Sequence, residues 1–183
     1  MIPAKIFFTK GVGRHTKELQ SFEFALRDAG VAFLNLVAVS SILPPHCEEI
    51  TKEEGLKLVS PGEITFVVIA RQTSDEKNRR VNAGIGVAKP KNQDHYGYLS
   101  ELHCFGKSQA EVEEEVEDLA ASMLASTLGI PFNIDAAWDE KRQIFKMSDL
   151  IVETKSNVAS AVVEKNKEYT TVVSLAVFIP PKP

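Results

Sequence analysis

The sequence contains only two cysteines, Cys47 and Cys104, among 183 residues. So few thiols argue against a small domain held together by disulfides and are typical of a protein from a reducing compartment. No apolar run approaches the roughly 20 residues that a membrane-spanning helix needs, and the apolar stretch near the N-terminus is too short for a signal peptide. We therefore expect a cytoplasmic protein that has no membrane partner.

A cluster of positive charge is also missing. The 21 Lys and Arg residues are outnumbered by 25 Asp and Glu residues, which gives a formal net charge of -4. The basic residues are scattered along the chain, whereas nucleic-acid-binding proteins carry a basic patch or stripe because phosphate contacts dominate their affinity. The charge pattern therefore predicts that nucleic acid is not a partner.

Two familiar kinds of site lack the spacing that they require. Gly84 and Gly86 have neither the third glycine nor the following helix of a dinucleotide fingerprint, so we interpret them as positions of close strand packing. The His-Cys pairs at residues 46–47 and 103–104 offer four zinc ligands by type. Adjacent residues of an extended chain point to opposite faces, however, so the sequence predicts no metal site.

Two segments have the periodicity of helices. Apolar residues recur at helical spacing from Thr16 to Ala29, and Gly30 follows where a left-handed residue often ends a helix. Ser108 begins the second helix with an S-x-x-E capping box, and Gly129 closes it. The acidic residues of this second helix are expected to face solvent.

Short runs rich in branched residues predict strands. AKIFFT is the first, and we interpret the GVGRHT that follows as a loop. VAFLNLVAVS is apolar on both alternations apart from Asn35, which predicts a central strand covered on both faces. After a loop that contains Trp138, two final strands are expected. The pattern indicates one α+β domain over residues 1–183. Three further predicted strands, which we expect to share one sheet system, are EITFVVIAR, VNAGIGVA and YGYLSELHCF. The final two predicted strands are LIVET to ASAVVE and TTVVSLAVFI.

Ser40, the last residue of the VAFLNLVAVS strand, is followed directly by a second serine, Ser41. The chain requires neither a turn nor a cap at this point. Serine is common at strand ends, so an ordinary strand end is one interpretation. The other is chemical, because the second hydroxyl can attack the preceding carbonyl to form an ester. Elimination and hydrolysis would then leave a pyruvoyl group and divide the chain into residues 1–40 and 41–183.

Several motifs together resemble the pyruvoyl-dependent arginine decarboxylases: VSSILPP, the upstream N-x-L and SFEFALRDAG, and the downstream GYLSELH. The resemblance covers nearly the whole chain. It implies an αββα sandwich that assembles as a homo-oligomer, either a trimer or a pair of trimers, with active sites between neighbouring subunits. It also implies conversion of L-arginine to agmatine and CO2 through an imine with a covalent pyruvoyl group derived from Ser41.

The same resemblance implies roles for five residues. Ser40 and Ser41 match the cleavage pair, and Ser40 becomes a carboxylate terminus at the substrate site. Glu101 matches the glutamate that protonates Cα after CO2 leaves, and its apolar strand predicts burial and a raised pKa. Asn35 matches an asparagine whose amide could donate a hydrogen bond to the attacked carbonyl or during turnover. Glu23 matches an acid that receives the guanidinium of arginine.

Simpler interpretations of these residues stay open. Glu101 could pair with a cation or face solvent, and Glu23 could pair with Arg27, which lies four positions along the helix. Asn35 could be satisfied by its strand neighbours. If the chain stayed extended, roughly 20 Å would separate Asn35 from Ser41. Either the strand bends sharply before the serines, or Asn35 serves a site in another subunit.

Two alternatives concern the whole protein. One is a pyruvoyl decarboxylase that acts on a different amino acid, and the other is an unprocessed homologue that serves as an oligomeric binding or scaffold protein. A substrate profile distinguishes the first from arginine decarboxylation, and an intact chain without a reactive carbonyl indicates the second.

Overall fold

The computed structural model describes residues 1–130 and 151–181. The helices in these ranges are α1 (Glu18–Ala29), α2 (Lys52–Leu56) and α3 (Gln109–Thr127). The strands are β1 (Lys5–His15), β2 (Asn35–Ala38), β3 (Ile42–Leu43), β4 (Glu48–Glu49), β5 (Ile64–Ser74), β6 (Arg80–Pro90), β7 (Gly97–Phe105), β8 (Ile151–Val162) and β9 (Tyr169–Ile179).

These strands form two sheets. Sheet A has five strands in the order β2-β5-β9-β1-β4, and sheet B has four strands in the order β3-β7-β6-β8. Within sheet A, β1 pairs antiparallel with β9 along its whole length, from Lys5 opposite Ile179 to His15 opposite Tyr169. Because β5 lies in sheet A while β6 and β7 lie in sheet B, the expectation that these three strands share one sheet is wrong.

A hydrophobic layer shared by both sheets forms the main core. Ile6 and Phe178 enter this layer from sheet A, and Leu99 enters it from sheet B. On the alternate positions of sheet A, Phe7 and Leu175 pack instead against α1, because successive side chains of a strand point to opposite faces. Helix α3 packs against sheet B in the same way. The described residues therefore form a single mixed α/β domain with two sheets.

Helix α1 confirms the first helix predicted from periodicity. Gly30 follows it with a φ of 82°, in the left-handed region expected of its C-terminal residue. The buried residues of the helix are Ser21, Ala25 and Ala29, whereas Leu19 is 76% exposed. The helix thus buries a narrow face of small residues, because it lies very close to the sheet.

Two glycines of β1 explain this close approach. A Cβ on Gly11 would lie 2.1 Å from the carbonyl oxygen of Ala25, and a Cβ on Gly13 would lie 2.0 Å from the carbonyl oxygen of Ser21. The segment that was expected to be a loop is therefore a strand, and the loop prediction is wrong. Its glycines are required where helix and strand backbones touch, and they do not mark a turn.

The prediction that VAFLNLVAVS forms a central strand covered on both faces is also wrong. β2 is an edge strand of sheet A with only four residues, most of them exposed. Val31 and Leu34, at the start of the same apolar run, are buried in the core beneath α1, where the Leu34 N–H donates to the Val31 carbonyl in a turn. Two different environments therefore follow each other within one apolar stretch.

The remaining predicted elements are confirmed. Helix α3 begins with the expected capping box, in which the Ser108 hydroxyl accepts from the Glu111 N–H and the Glu111 carboxylate accepts from the Ser108 N–H. Strands β8 and β9 match the two final strands, while the loop with Trp138 lies outside the described residues. None of the helices in the described ranges is long and apolar enough to cross a membrane.

Gly86 and Gly84 provide a matched pair for testing how closely α3 lies on β6. A Cβ on Gly86 would lie 1.9 Å from the carbonyl oxygen of Val116, a backbone atom of the helix, whereas a Cβ on Gly84 would meet valine methyl groups at 3.0 to 3.1 Å. We expect Gly86→Ala to lower the free energy of unfolding by about 3 kcal/mol or more, and Gly84→Ala to lower it by about 1 kcal/mol. Urea unfolding measures both values, and equal losses would contradict this packing.

Candidate active site

The Ser40–Ser41 peptide bond lies where the chain passes from sheet A to sheet B. On one side of the bond, the Val39 N–H donates to the Val67 carbonyl of β5 at 2.9 Å. On the other side, the Leu99 N–H of β7 donates to the Ser41 carbonyl at 2.8 Å. The two serines therefore form the segment that connects the two sheets. One backbone hydrogen bond, from Val39, fixes this segment to sheet A, and another, to Ser41, fixes it to sheet B.

A tight turn bends the chain at this crossing. The Ile42 N–H donates to the Ser40 carbonyl oxygen at 3.1 Å, which closes a three-residue turn centred on Ser41. The non-glycine residues with positive φ in the described ranges do not include Ser41, so the turn is of the common inverse γ type. This hydrogen bond reaches the carbonyl that a Ser41 hydroxyl would attack.

An apolar cavity of about 360 Å³ borders the crossing. Ser40 contributes to its wall, so the peptide bond lies at the boundary between this cavity and β7. An environment with few polar groups strengthens electrostatic interactions with any charge that develops there. The other residues around the cavity are Met1, Pro3, Val39, Ile42, Pro44, Phe66 and Phe178.

Glu101 lies on β7, next to this crossing. Strand β3 pairs with β7 through Ile42 opposite Tyr98, and the ladder ends with the Leu99 bond to Ser41. Glu101 follows two residues later, about 7 Å along the strand at the usual rise, and its side chain points to the same face as that of Leu99. The structure therefore brings Glu101 and the serine pair to one edge of sheet B.

The environment of Glu101 differs in part from the expectation. The residue is exposed in the protomer, so the predicted burial among apolar neighbours is wrong: the inner face of β7 is left open at this end. The predicted direction of the pKa shift is confirmed: partial desolvation raises the pKa of Glu101, and the electrostatic effect of the neighbouring His103 opposes that rise. The protonated acid is thus favoured relative to an ordinary glutamate.

Asn35 lies at the other end of β2. Its Nδ2 donates to the Gly62 carbonyl at 2.7 Å, and the residue is exposed. Because Val39 is still hydrogen-bonded to β5, the strand stays extended until the crossing, which places Asn35 about 13 Å from Val39 at the usual rise. The chain bends only at the serines, so the structure does not bring Asn35 to the serine pair of its own chain.

Glu23 is also distant from the serines of its own chain. Helix α1 packs on the face of sheet A that carries Phe7 and Leu175, while the residues flanking the serines, Val39 and Leu43, belong to the layer between the sheets. Glu23 accepts a hydrogen bond from Arg27 Nε at 2.5 Å. In the protomer, the ordinary intrahelical pair is therefore the interaction that Glu23 makes.

His103 was not identified as a site residue from the sequence. It lies two residues beyond Glu101 on β7, and strand alternation places both side chains on the same face. That alternation was the signal that could have identified it. Among the described residues, no three His, Cys, Asp or Glu side chains form a metal-binding group. Burial raises the pKa of the free thiol of Cys47 to about 11.

Known proteins are similar to this chain along its whole length. The family described as pyruvoyl-dependent arginine decarboxylase matches residues 5–183. A protein of Chloroherpeton thalassium, named a probable pyruvoyl-dependent arginine decarboxylase, is 53% identical over 179 residues, which cover 98% of both chains. Pyruvoyl-dependent arginine decarboxylase 2 of Methanosarcina acetivorans is 50% identical over 182 residues and 100% of both chains. A pyruvoyl-dependent arginine decarboxylase of Nitrosopumilus maritimus is 44% identical over 179 residues, again 98% of both chains.

The pKa of Glu101 can be tested in a chain that carries the Ser41→Ala substitution. We expect it to lie above the usual glutamate value of about 4.3, and His103→Gln should raise it further, because the opposing positive charge is lost. By linkage, the proton on Glu101 stabilises the fold at low pH, and this contribution is lost as the pH rises through the raised pKa. A side-chain carbon NMR titration of Ser41→Ala, with and without His103→Gln, measures both effects.

The control for this titration is His95→Gln, which removes a histidine that lies outside β7. This variant should leave the Glu101 titration unchanged. A Glu101 pKa at or below the usual value, or a decrease caused by His103→Gln, would contradict the description of the site.

Proposed function

Since this chain belongs to the pyruvoyl-dependent arginine decarboxylase family, we propose that it cuts itself between Ser40 and Ser41 and then converts L-arginine to agmatine and CO2. The enzyme is thus a carbon–carbon lyase with a covalent pyruvoyl group. One observation carries the assignment of the cut: the Ser40–Ser41 peptide joins the two sheets and is held by a backbone hydrogen bond on each side.

The proposed self-cleavage uses atoms of the two serines and water. The Ser41 Oγ attacks the Ser40 carbonyl carbon, and the electron pair of the C=O bond moves to oxygen. When this pair re-forms the carbonyl, the C–N bond breaks and the Ser41 nitrogen receives the proton lost by the hydroxyl, which leaves an ester. Loss of the Ser41 Cα proton then expels the Ser40 carboxylate from Cβ. Water finally replaces the nitrogen, which leaves as ammonia, and a ketone remains.

The residues at the crossing fit a pyruvoyl group at position 41. The Leu99 N–H would hold the carbonyl of residue 41 as it does in the uncut chain, and the cavity beside Ser40 offers an apolar wall. A pyruvoyl group supplies a ketone that binds the α-amine of the substrate and accepts the electron pair released with CO2. Ser40 becomes a carboxylate at the edge of the same cavity.

Glu101 is proposed to return a proton to the substrate Cα. Its position near residue 41 on the same edge of sheet B supports this role, as does the partial desolvation that raises its pKa. A general acid must hold its proton at the working pH. Because His103 acts against the rise, further loss of water around Glu101, for example beneath a neighbouring subunit, would strengthen its role as an acid.

The complete site is proposed to lie between subunits of a trimer or a pair of trimers. Glu23 and Asn35 do not reach the serines of their own chain, so a second copy would have to supply them. Exposed apolar side chains around β2 support such a contact: Val37 is 40% exposed and Ile64 is 66% exposed. Burying these side chains against another subunit would contribute favourable free energy.

The αββα layer order and the cytoplasmic location belong to the same proposal. Packing of α1 on sheet A, packing of α3 on sheet B and the shared layer between the sheets support the layer order. The free thiols of Cys47 and Cys104 fit a reducing compartment. The two alternatives, a different amino-acid substrate and an unprocessed scaffold, are not favoured by relatives named arginine decarboxylases at 44 to 53% identity.

An intact-mass spectrum under denaturing conditions tests the self-cleavage. We expect two fragments, one ending at Ser40 and one beginning at position 41, with a hydrazine adduct on the larger fragment only. The same sample should release CO2 from arginine and form agmatine. Ser41→Ala should stay at the uncut mass of 20.2 kDa, apart from the substitution, because it lacks the attacking hydroxyl.

Native mass spectrometry of the same preparation tests the assembly, and a trimer or hexamer is the expected result. A wild-type chain that stays uncut, takes up no hydrazine and releases no CO2 from arginine would contradict the proposed function. A fully active single protomer would contradict only the shared site.

Glu23 and Arg27 offer a test of substrate recognition. If Glu23 receives the guanidinium, Glu23→Gln should raise KM for arginine by about tenfold or more, because a charge-assisted pair is lost. Arg27→Gln breaks the same intrahelical pair and should leave KM unchanged or lower it. Steady-state kinetics of the two variants and the wild type provide the comparison.

The intrahelical interpretation predicts a different result. An exposed pair of this kind contributes only about 0.3 to 0.5 kcal/mol, so both variants would then show the same small loss of stability and an unchanged KM. That outcome would remove Glu23 from the proposed substrate site.

A further inference from the structure

We propose that the backbone N–H of Ile42 is the hydrogen-bond donor that stabilises the oxyanion during self-cleavage. This inference rests on the proposed function, because it concerns the attack on the Ser40 carbonyl. Its basis is the hydrogen bond from the Ile42 N–H to that carbonyl oxygen, at 3.1 Å. The donor is thus already in contact with the atom on which negative charge would develop.

The pairing of β3 leaves this N–H available. Leu99 donates to the Ser41 carbonyl, so the position of Ser41 and Leu99 is a hydrogen-bonded one in the antiparallel ladder. The next pair, Ile42 opposite Tyr98, is then a non-hydrogen-bonded pair, whose N–H groups point away from the partner strand. The Ile42 N–H therefore does not bond to β7, and the turn directs it to Ser40.

The hydrogen bond would become stronger as the reaction proceeds. When the Ser41 Oγ bonds to the Ser40 carbonyl carbon, the C=O electron pair moves to the oxygen that accepts from Ile42. A hydrogen bond to a charged oxygen is roughly twice as strong as one between neutral groups. The donor is fixed by the turn before the attack, so little reorganisation is needed when the charge forms.

Within one chain, this donor is better placed than the amide expected from the sequence. The side chain of Asn35 bonds to Gly62 and lies at the far end of β2. The Ile42 N–H, in contrast, already contacts the Ser40 carbonyl oxygen. A backbone donor leaves no signature in the residue type, so the sequence motif alone does not reveal it.

An amide-to-ester substitution tests the inference, because it removes the N–H and keeps the side chain. In vitro translation with the α-hydroxy analogue of isoleucine at position 42 gives this variant, and the appearance of the two fragments is followed over time by mass spectrometry. We expect self-cleavage to slow by about 100-fold, the lower end of the roughly 100- to 1,000-fold loss that removal of one oxyanion donor causes.

A matched ester at Leu99 controls for the other effect of the substitution. The Ile42 ester also makes the Ser41 carbonyl a weaker acceptor, and the α-hydroxy analogue of leucine at position 99 removes the donor to that same carbonyl while the Ile42 N–H stays. The Leu99 ester should slow cleavage clearly less than the Ile42 ester. Equal slowing by both esters, or an Ile42 ester that cleaves at the wild-type rate, would overturn the inference.

Amide hydrogen exchange gives a second measurement that does not depend on how the ester variants fold. In the uncut Ser41→Ala chain, the Ile42 amide should exchange more slowly than an unbonded amide, and free exchange would overturn the inference. A wild-type chain that never cleaves would overturn the proposed function together with this inference. Cleavage of the wild type with unchanged cleavage of the Ile42 ester would remove this inference alone.

Discussion

Burial of the hydrophobic layer between the two sheets determines where the chain must cross from one sheet to the other. Val39 and Leu43, which lie on either side of the crossing, both pack into that layer, and backbone hydrogen bonds fix Val39 to β5 and Ser41 to β7. The peptide between Ser40 and Ser41 is therefore positioned from both ends by packing that involves most of the domain. Displacement of the segments on either side of this peptide would disturb the core.

The same arrangement separates the candidate residues into two groups. The Ser40–Ser41 pair and Glu101 share one edge of sheet B, while Glu23 lies on a helix that packs on the other face of sheet A, and Asn35 begins an exposed edge strand. The carboxyl of Glu101 reaches solvent in the protomer, and partial desolvation by its neighbours raises its pKa. This separation, together with the exposed apolar side chains around β2, is the basis of the proposal that a second subunit completes the site.

Local patterns predicted the elements whose signals are local. The periodicity of α1, the left-handed Gly30 and the Ser108 capping box depend on neighbouring residues, and all three are confirmed. The role of Gly11 and the exposure of β2 depend on contacts between distant segments of the chain. Because local sequence patterns do not contain these contacts, they suggested a loop and a buried strand instead. The motif led to the prediction that the serine pair is part of the site, whereas the turn hydrogen bond and the separation of Glu23 from the serines can be seen only in the folded chain.

The place of β1 in sheet A has a consequence for the order of folding and cutting. β1 lies between β9 and β4, and α1 rests on it, so the part of the chain that ends at Ser40 is interwoven with the remainder. After the proposed cut, the protomer would be a non-covalent complex of two polypeptides, and its unfolding would become a dissociation whose midpoint depends on protein concentration. Folding as one chain avoids the need for two separate polypeptides to associate. The mature protein would therefore retain the fold that formed while both parts belonged to one chain.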